Sequence, residues 1–231
     1  MSRTLTWPRR RHAIQVHATA LCLTALLLPA IAAAQTSGGP DAAGYTWSTT
    51  TYTWETLSSP SSVSLGDDVM SGAVNIGFTF WFYGVAYTQA YISSNGFISF
   101  LSGQHNGCCS GVQSPNTSSP NALIAGYWED IHPGRGGSIL YQTLGTAPNR
   151  RFIVSWQNIP HYGSGNNVTF QIVLYEGTNE AEIRLCPTAR NQSGTGFQIG
   201  TATEPWNWGV NVDLLYRLGS YTINGWMYRF P

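Results

Sequence analysis

The 231-residue sequence contains no lysine, and charged residues make up only 10% of it. Four of the eleven arginines lie within the first eleven residues, so the remainder carries seven arginines against eleven acids, a net charge of −4. This balance excludes the basic surface that binds nucleic acid or anionic membranes. The absence of lysine by itself indicates no function.

Long hydrophobic runs are also missing after the first 34 residues. Four arginines precede an apolar run at residues 20–34, which ends in an alanine triplet typical of a signal-peptidase site. Pro29 interrupts that run, and no later segment reaches the roughly 18 apolar residues of a transmembrane helix. We therefore expect a signal peptide at residues 1–34, export by the Sec or the twin-arginine route, and no membrane insertion.

The rest of the chain has the pattern of one all-β domain. Residues 35–44 are small and polar and predict a flexible leader, and residues 45–231 are long enough for one sizeable core. Short β-type runs alternate with Gly, Asn, Pro and Ser, and no window shows a helical period. We predict a mostly antiparallel, two-sheet β-sandwich of about ten strands with little helix. The predicted strands are residues 45–54, 74–83, both arms of a hairpin at 91–100, 122–128, 138–144, 151–157, 168–175, 181–185, 197–203 and 225–230.

Two connections in this pattern differ greatly in length. In YISSNGFISF, residues 91–100, Asn95-Gly96 best fits a two-residue type I′ turn, which places Tyr91 opposite Phe100. We expect this hairpin to be chiefly scaffold. Residues 102–120 form one long irregular loop, and loops of that length are usually functional or mobile.

Three sequence blocks follow one another in a distinctive order. They are IGFTFWFYGVAYTQAYISSNGFISF, LIAGYWEDI and GSILYQTLGTAPNRRFIVSWQNIPHYGSGNNVTFQIVLYEGTNEAEIRL, which together span residues 76–185. This order resembles the nidogen-like extracellular domain, specifically its bacterial secreted and cell-surface relatives. The sequence departs from that pattern at Gly126, where Pro is commoner, and by a cysteine-containing insertion at residues 107–111. The resemblance implies an extracellular β-rich module for adhesion or for organising matrix and surface, with no catalytic residues to transfer.

No compact catalytic motif is visible in the sequence after residue 34. Its histidines are His105, His132 and His161, and the G-x-S-x-G motif of serine hydrolases is missing. A glycosidase would need two carboxylates at a defined separation, which sequence spacing does not reveal. The candidates for such a pair are Glu129, Asp130, Glu176, Glu180 and Glu182. We predict that the protein is not an enzyme, with an extracellular hydrolase as the second alternative.

Two acidic pairs are candidates for calcium binding, because hard cations take carboxylate oxygens as ligands. They are Asp67-Asp68 and Glu129-Asp130. Neither pair lies in a D-x-D-x-D-G loop, and the alternative is that these side chains accept backbone hydrogen bonds in turns. We assign no cofactor and keep calcium as an open possibility.

The cysteines of an exported chain are expected to form disulfides. Cys108, Cys109 and Cys186 remain after the signal peptide, so one of them has no partner within this set. We predict a bridge between Cys186 and Cys109, with Cys108 as the alternative partner. His105 and the adjacent cysteines disfavour zinc binding, because adjacent cysteines seldom chelate one ion and a fourth ligand is missing.

Aromatic residues are abundant, with 9 Trp, 12 Tyr and 9 Phe in the chain. Most of them must lie in the core, but sugar-binding modules use exposed aromatic faces as stacking platforms. The tryptophans that could supply such a platform are Trp47, Trp54, Trp81, Trp206, Trp208 and Trp226. We predict contact residues among the last three.

The sequence therefore favours a secreted, non-catalytic interaction or adhesion module of the cell surface or extracellular matrix. Its partner would be an extracellular macromolecule or a glycan, contacted first by the loop at residues 102–120. The alternative is a carbohydrate-binding module that uses exposed aromatic residues. Neither the ligand nor the oligomeric state is indicated by the sequence.

Overall fold

The computed structural model describes residues 37–38, 40–41, 43–50, 53–104, 108, 119–163, 167–186, 197–201, 208–212 and 220–225. For the last three of these ranges only the backbone is described. Within the described residues, no helix is long and apolar enough to cross a membrane.

The described residues form fourteen β-strands and one short 3-10 helix at Pro133–Arg135. The strands are β1 (Ser37–Gly38), β2 (Tyr45–Thr50), β3 (Ser61–Val63), β4 (Val74–Phe82), β5 (Val85–Ile92), β6 (Phe97–Ser99), β7 (Leu123–Ala125), β8 (Ser138–Leu144), β9 (Arg151–Pro160), β10 (Asn167–Tyr175), β11 (Ala181–Leu185), β12 (Phe197–Thr201), β13 (Trp208–Val212) and β14 (Ser220–Gly225).

These strands make two antiparallel sheets, which confirms the predicted all-β sandwich. One sheet has the order β1-β2-β14-β11-β10-β9-β8-β3, and the other has the order β13-β12-β7-β6-β5-β4. The strand count exceeds about ten because β1, β3 and β13 were not predicted, and the first two are only two and three residues long. Strand β14 ends where the last predicted strand was expected to begin.

The core lies between the inner faces of the two sheets. Strand β4 alternates strictly between buried and exposed residues, and its Ile76, Phe78, Phe80 and Phe82 point into the core. They face large side chains such as Trp156 of the other sheet, which is fully buried. Alternation of this kind is what a sheet with one covered face requires.

The predicted hairpin is present between β5 and β6, but its predicted register is wrong by one residue. Tyr91 pairs with Ser99, rather than with Phe100, and Ile92 pairs with Ile98. Gly96 has a φ of +87°, whereas Asn95 is not among the residues with positive φ. A type I′ turn needs positive φ at both central positions, so the turn is of another kind. Residues 92–100 are all buried, because both faces of the hairpin are covered.

A segment without regular structure, residues 53–60, crosses the outer face of the eight-stranded sheet between β2 and β3. We call it the crossing segment. Its Glu55 exchanges two backbone hydrogen bonds with the Gln171 side chain on β10, of 3.2 and 2.9 Å. The Glu55 carboxylate also binds Arg151 at 2.7 Å and lies 3.5 Å from Arg184. The Arg184 side chain is only 3% exposed, so this outer face is a buried polar layer.

Part of the predicted flexible leader makes specific contacts. Strand β1 pairs with β2. The Asp41 carboxylate accepts hydrogen bonds from the N–H groups of Ala43 and Tyr45, at 2.9 and 2.8 Å, and from the Tyr83 hydroxyl at 2.7 Å. These bonds fix the entry of the chain into β2.

Candidate functional site at one end of the sandwich

Four connections meet at one end of the sandwich. They are the β3–β4 loop, the β5–β6 turn, the β7–β8 loop and the β9–β10 loop. Backbone hydrogen bonds join them, from Ser94 N to Val69 O at 2.9 Å and from Tyr162 N to Asp130 O at 2.8 Å. We call this region the acidic end, and its functional side chains are Asp67, Asp68, Asn95, Asp130, His132, Arg135 and Tyr162.

Asn95 links two loops of the acidic end through its side chain. Its side chain is fully buried. Its Nδ2 donates to Asp68 Oδ1 at 2.7 Å, and its Oδ1 accepts from the N–H of Ile131 at 3.3 Å. The side chain of one turn residue thus links two loops that are more than 60 residues apart in sequence. Asn95 therefore contributes through its side chain, and its φ is not positive.

Three of the four predicted calcium candidates converge above Asn95. Carboxylate oxygens of Asp67, Asp68 and Asp130 all lie within 4.8 Å of one another. Glu129 is not part of this group. Burial raises the pKa of Asp130, and the negative charges of Asp67 and Asp68 raise it further. Like charges held this closely disfavour ionisation of one member, and they are also a donor set of the type that hard cations use.

The separation of the carboxylates bears on the hydrolase alternative. Retaining glycosidases hold their two carboxyl groups about 5–5.5 Å apart, and inverting enzymes hold them farther apart to admit a water molecule. Asp67, Asp68 and Asp130 form one cluster, with oxygens within 4.8 Å of one another, whereas the two carboxyl groups of a glycosidase flank the scissile bond.

A stack of cationic and aromatic groups borders the carboxylates. His132 Nε2 lies 3.8 Å from Asp67 Oδ2. The His132 and Tyr162 rings are nearly parallel, with centroids 6.1 Å apart, and the Arg135 guanidinium lies 4.6 Å from the Tyr162 ring centroid. Tyr162 is 50% exposed, so this stack presents an aromatic surface to solvent beside the negative charges.

Two polar atoms at this end are buried without a hydrogen-bond partner among the described residues. They are Asp67 Oδ1 and His132 Nδ1.

The neighbouring His161 has a different environment, since its Nε2 lies 3.2 Å from the Tyr127 hydroxyl. Burial lowers the pKa of His161, which keeps its imidazole neutral at physiological pH.

The predicted contact tryptophans can be placed only in part. Trp206 and Trp226 lie outside the described residues, and of Trp208 only the backbone is described, in β13. Of the other platform candidates, Trp47 is buried in the core, Trp54 is half-buried, and Trp81 on β4 is 39% exposed.

The predicted bridge between Cys109 and Cys186 stays a prediction, because Cys109 lies outside the described residues. Cys108 takes part in a disulfide whose partner is likewise not described. Cys186 follows β11 directly, and its N–H donates to Thr169 O at 3.0 Å.

Sequence reasoning named the carboxylates but missed Asn95, Arg135 and Tyr162 as parts of this end. The dipeptide Asn95-Gly96 carries a strong turn signal, which concealed the buried side-chain role of Asn95. Arg135 and Tyr162 lie in loops without periodic pattern, so no signal in the sequence joins them.

Most of the chain matches one protein family. The pattern of a protein family described as NIDO related matches residues 44–222. Mouse alpha-tectorin is 30% identical over 134 aligned residues, and human alpha-tectorin is 28% identical over the same length. Each alignment covers 47% of this chain and 6% of the tectorin, so the match concerns a small part of a much longer protein. No solved structure matches the chain.

Proposed function

Because this chain belongs to the NIDO-related family, we propose that it is a secreted, non-catalytic interaction module that binds a partner on the cell surface or in the extracellular matrix. The observation that carries the proposal is the family match over residues 44–222, which includes most of both sheets and the acidic end. The similarity to alpha-tectorin supports an extracellular, non-enzymatic role at this coarser level.

The fold supports binding through loops at the two ends of a rigid sandwich. The acidic end presents Tyr162 and Val69 to solvent, and these residues are 50% and 40% exposed. The loop at residues 102–120 joins β6 to β7 and leaves β6 at the end opposite to the β5–β6 turn. Binding residues are commonly carried on loops that a rigid scaffold positions.

We place the partner contact first on the loop at residues 102–120. Hydrogen bonds join the two ends of this loop. Gln104 Oε1 accepts hydrogen bonds from the Ser119 hydroxyl at 3.1 Å and from the Asn121 N–H at 2.8 Å. The two ends of the loop therefore lie side by side, and a short linker can replace residues 105–118 without straining the sheet.

The test measures attachment of the exported chain to cell-surface and matrix preparations. The loop variant replaces residues 105–118 with a short Gly-Ser linker and keeps Gln104 and Ser119. We expect it to lose attachment while its β-type circular dichroism stays close to that of the wild type. Its melting temperature should fall because the variant removes Cys108 and its disulfide. Tyr162→Ala, at the other end, is the matched control and should bind normally.

Two results would contradict the proposal. Attachment that survives in the loop variant and is lost in Tyr162→Ala would move the contact to the acidic end. Turnover of a panel of glycans, esters or peptides by the purified protein, lost in Asp130→Asn or Glu129→Gln, would replace the binding role with a hydrolase.

A further inference from the structure

The outer face of the β4–β5 hairpin presents a tryptophan among uncharged polar side chains. Outward-facing residues of β4 alternate with its core residues, and β5 adds further exposed residues beside them. Trp81 pairs with Ala86 and Asn75 pairs with Gln89 across the two strands. We call this surface the neutral face, and it consists of Asn75, Thr79, Trp81, Ala86, Thr88 and Gln89.

Trp81 differs from the buried tryptophans of the described chain. It is 39% exposed, whereas Trp47, Trp128 and Trp156 are at most 5% exposed. Its backbone N–H donates to Asn179 Oδ1 at 2.8 Å, which fixes this part of β4 against the other sheet. A ring held on a rigid strand loses little conformational freedom when a ligand stacks on it.

The neutral face carries no charged side chain. Arg150 lies at its border, where its guanidinium donates to Gly77 O, but the same group forms a bidentate ion pair with Glu176. The side chains of Thr79, Thr88 and Gln89 make no hydrogen bond to any other described group, so their donors and acceptors face solvent. A surface of this composition offers an apolar ring together with amide and hydroxyl groups.

We propose that the neutral face binds a neutral oligosaccharide or polysaccharide. Sugar rings present C–H groups that pack on an aromatic face, and their hydroxyl groups match amide and hydroxyl side chains. The absence of charge on the face disfavours anionic glycans and charged protein surfaces. Strand β4 bulges between Asn75 and Trp81, and their partners Gln89 and Ala86 are three residues apart on β5, so the face is about 10 Å long between these pairs at roughly 3.3 Å per residue.

The edge of β4 is closed to a second copy of the chain, although β4 is the last strand of its sheet. The Thr143 hydroxyl donates to Ile76 O at 2.7 Å, Arg150 donates to Gly77 O, and Asn179 accepts from the N–H of Trp81. Side chains of the other sheet and of its loops thus occupy backbone groups that an added strand would need. The face of β4, rather than its edge, is the surface available to a ligand.

This inference rests on the proposed non-catalytic binding role and names the ligand class of a different surface. The test applies the full exported chain to a glycan array with neutral and anionic glycans, and to native gels containing hydroxyethyl cellulose, laminarin, galactomannan or alginate. We expect binding to a neutral glycan and retardation in at least one neutral gel, with no comparable retardation in alginate.

Three variants test the neutral face. Trp81→Ala should weaken binding about tenfold or more, and Trp81→Tyr, which keeps an aromatic face, should retain most of it. Gln89→Ala should weaken binding about threefold to tenfold by removing hydrogen bonds to sugar hydroxyls. Thr56→Ala, at an exposed position of the crossing segment over the other sheet, is the control with unchanged affinity. Melting temperatures close to wild type show that these exposed substitutions leave the fold intact.

Several results would overturn the inference. They are binding to no neutral glycan, stronger retardation in alginate, or neutral-glycan binding that neither Trp81→Ala nor Gln89→Ala weakens. A dimer in sedimentation experiments that Trp81→Ala dissociates would also overturn it, because a second copy would then occupy the face. Attachment to cell-surface or matrix material without binding to any neutral glycan would leave the proposed function standing while this inference fails.

Discussion

Gly96 is the residue at which the fold leaves least room for a side chain. Its φ of +87° lies in the left-handed region. A Cβ at this position would collide with the carbonyl oxygen of Tyr127 and come within 3.2 Å of Phe170 Cζ. Gly96 O also accepts hydrogen bonds from the N–H groups of Gly126 and Tyr127, at 3.1 and 3.2 Å. The turn and the β7–β8 loop are therefore in direct backbone contact.

Gly96→Ala is predicted to destabilise the domain by at least about 3 kcal/mol, because backbone strain and overpacking add. Gly84→Ala is the matched control, since Gly84 has a φ of +76° and no atom within 4 Å of an added Cβ. It should cost only about 1 kcal/mol, from strain alone. Urea unfolding of both variants measures the difference, and equal losses would contradict the steric account.

The cluster of Asp67, Asp68 and Asp130 predicts how the stability of the protein depends on pH. The folded pKa of Asp130 is raised, so the folded state binds more protons than the unfolded state between the ordinary and the raised pKa. Stability from this residue is fully present below the ordinary pKa and is lost as pH rises through the raised value. Asp130→Asn should therefore stabilise the protein at pH 7, by about 0.5 kcal/mol given the partial exposure.

The measurement is the free energy of unfolding of wild type and Asp130→Asn from pH 3 to pH 8, in buffer with a chelator. The gain should vanish at the acid end of that range, where both states are protonated. If calcium ions hold the three carboxylates, repeating the series with calcium reverses the sign, and Asp130→Asn becomes less stable than wild type. A variant that is destabilised without calcium would contradict the repulsion between these carboxylates.

At the scale of elements, the crossing segment depends on Glu55. The hydrogen bond from Arg151 lowers the pKa of Glu55. Its contribution is therefore present above the ordinary carboxyl pKa and lost as pH falls through the lowered value. Glu55→Gln should cost about 1.5–3 kcal/mol at pH 7, because it weakens charged hydrogen bonds beside the buried Arg184.

Glu176→Gln is the control for that experiment, since Glu176 also binds one arginine, Arg150, through both oxygens and at similar exposure, but makes no ion pair with a buried arginine such as Arg184. It should cost clearly less in chemical denaturation, because its loss weakens the environment of no buried charge. A loss from Glu176→Gln as large as that from Glu55→Gln would show that the crossing segment does not depend on its buried charges.

Strong alternation made most elements predictable from the sequence. The strands at residues 138–144 and 181–185 were predicted with their observed bounds, and β4 was predicted to within one residue. The hairpin register was missed because Asn95 makes long-range contacts that local turn preference does not contain. The three aspartates were named from their chemistry, but their convergence depends on Asn95 and on loop packing between distant parts of the chain.

At the scale of the whole molecule, the predicted signal peptide sets where the exported protein should begin. We expect the mature chain to start at Gln35, directly after the alanine triplet, because signal peptidase cuts after small residues. Intact-mass measurement of the exported protein checks this, and Ala34→Leu should block the cut as a control. Exported protein that retains residues 1–34 would contradict the assignment.

The connection that contains the crossing segment is only slightly longer than the width of the eight-stranded sheet that it spans. Strands β2 and β3 are six positions apart in the eight-stranded sheet, a distance of about 29 Å at roughly 4.8 Å per pair. The ten residues between Thr50 and Ser61 give a contour length of at most about 36 Å. Most of that length is taken up by the span, so the connection has little slack. A relative with one more strand between β2 and β3 would need a longer connection, whereas deletions here would pull β3 away from β8.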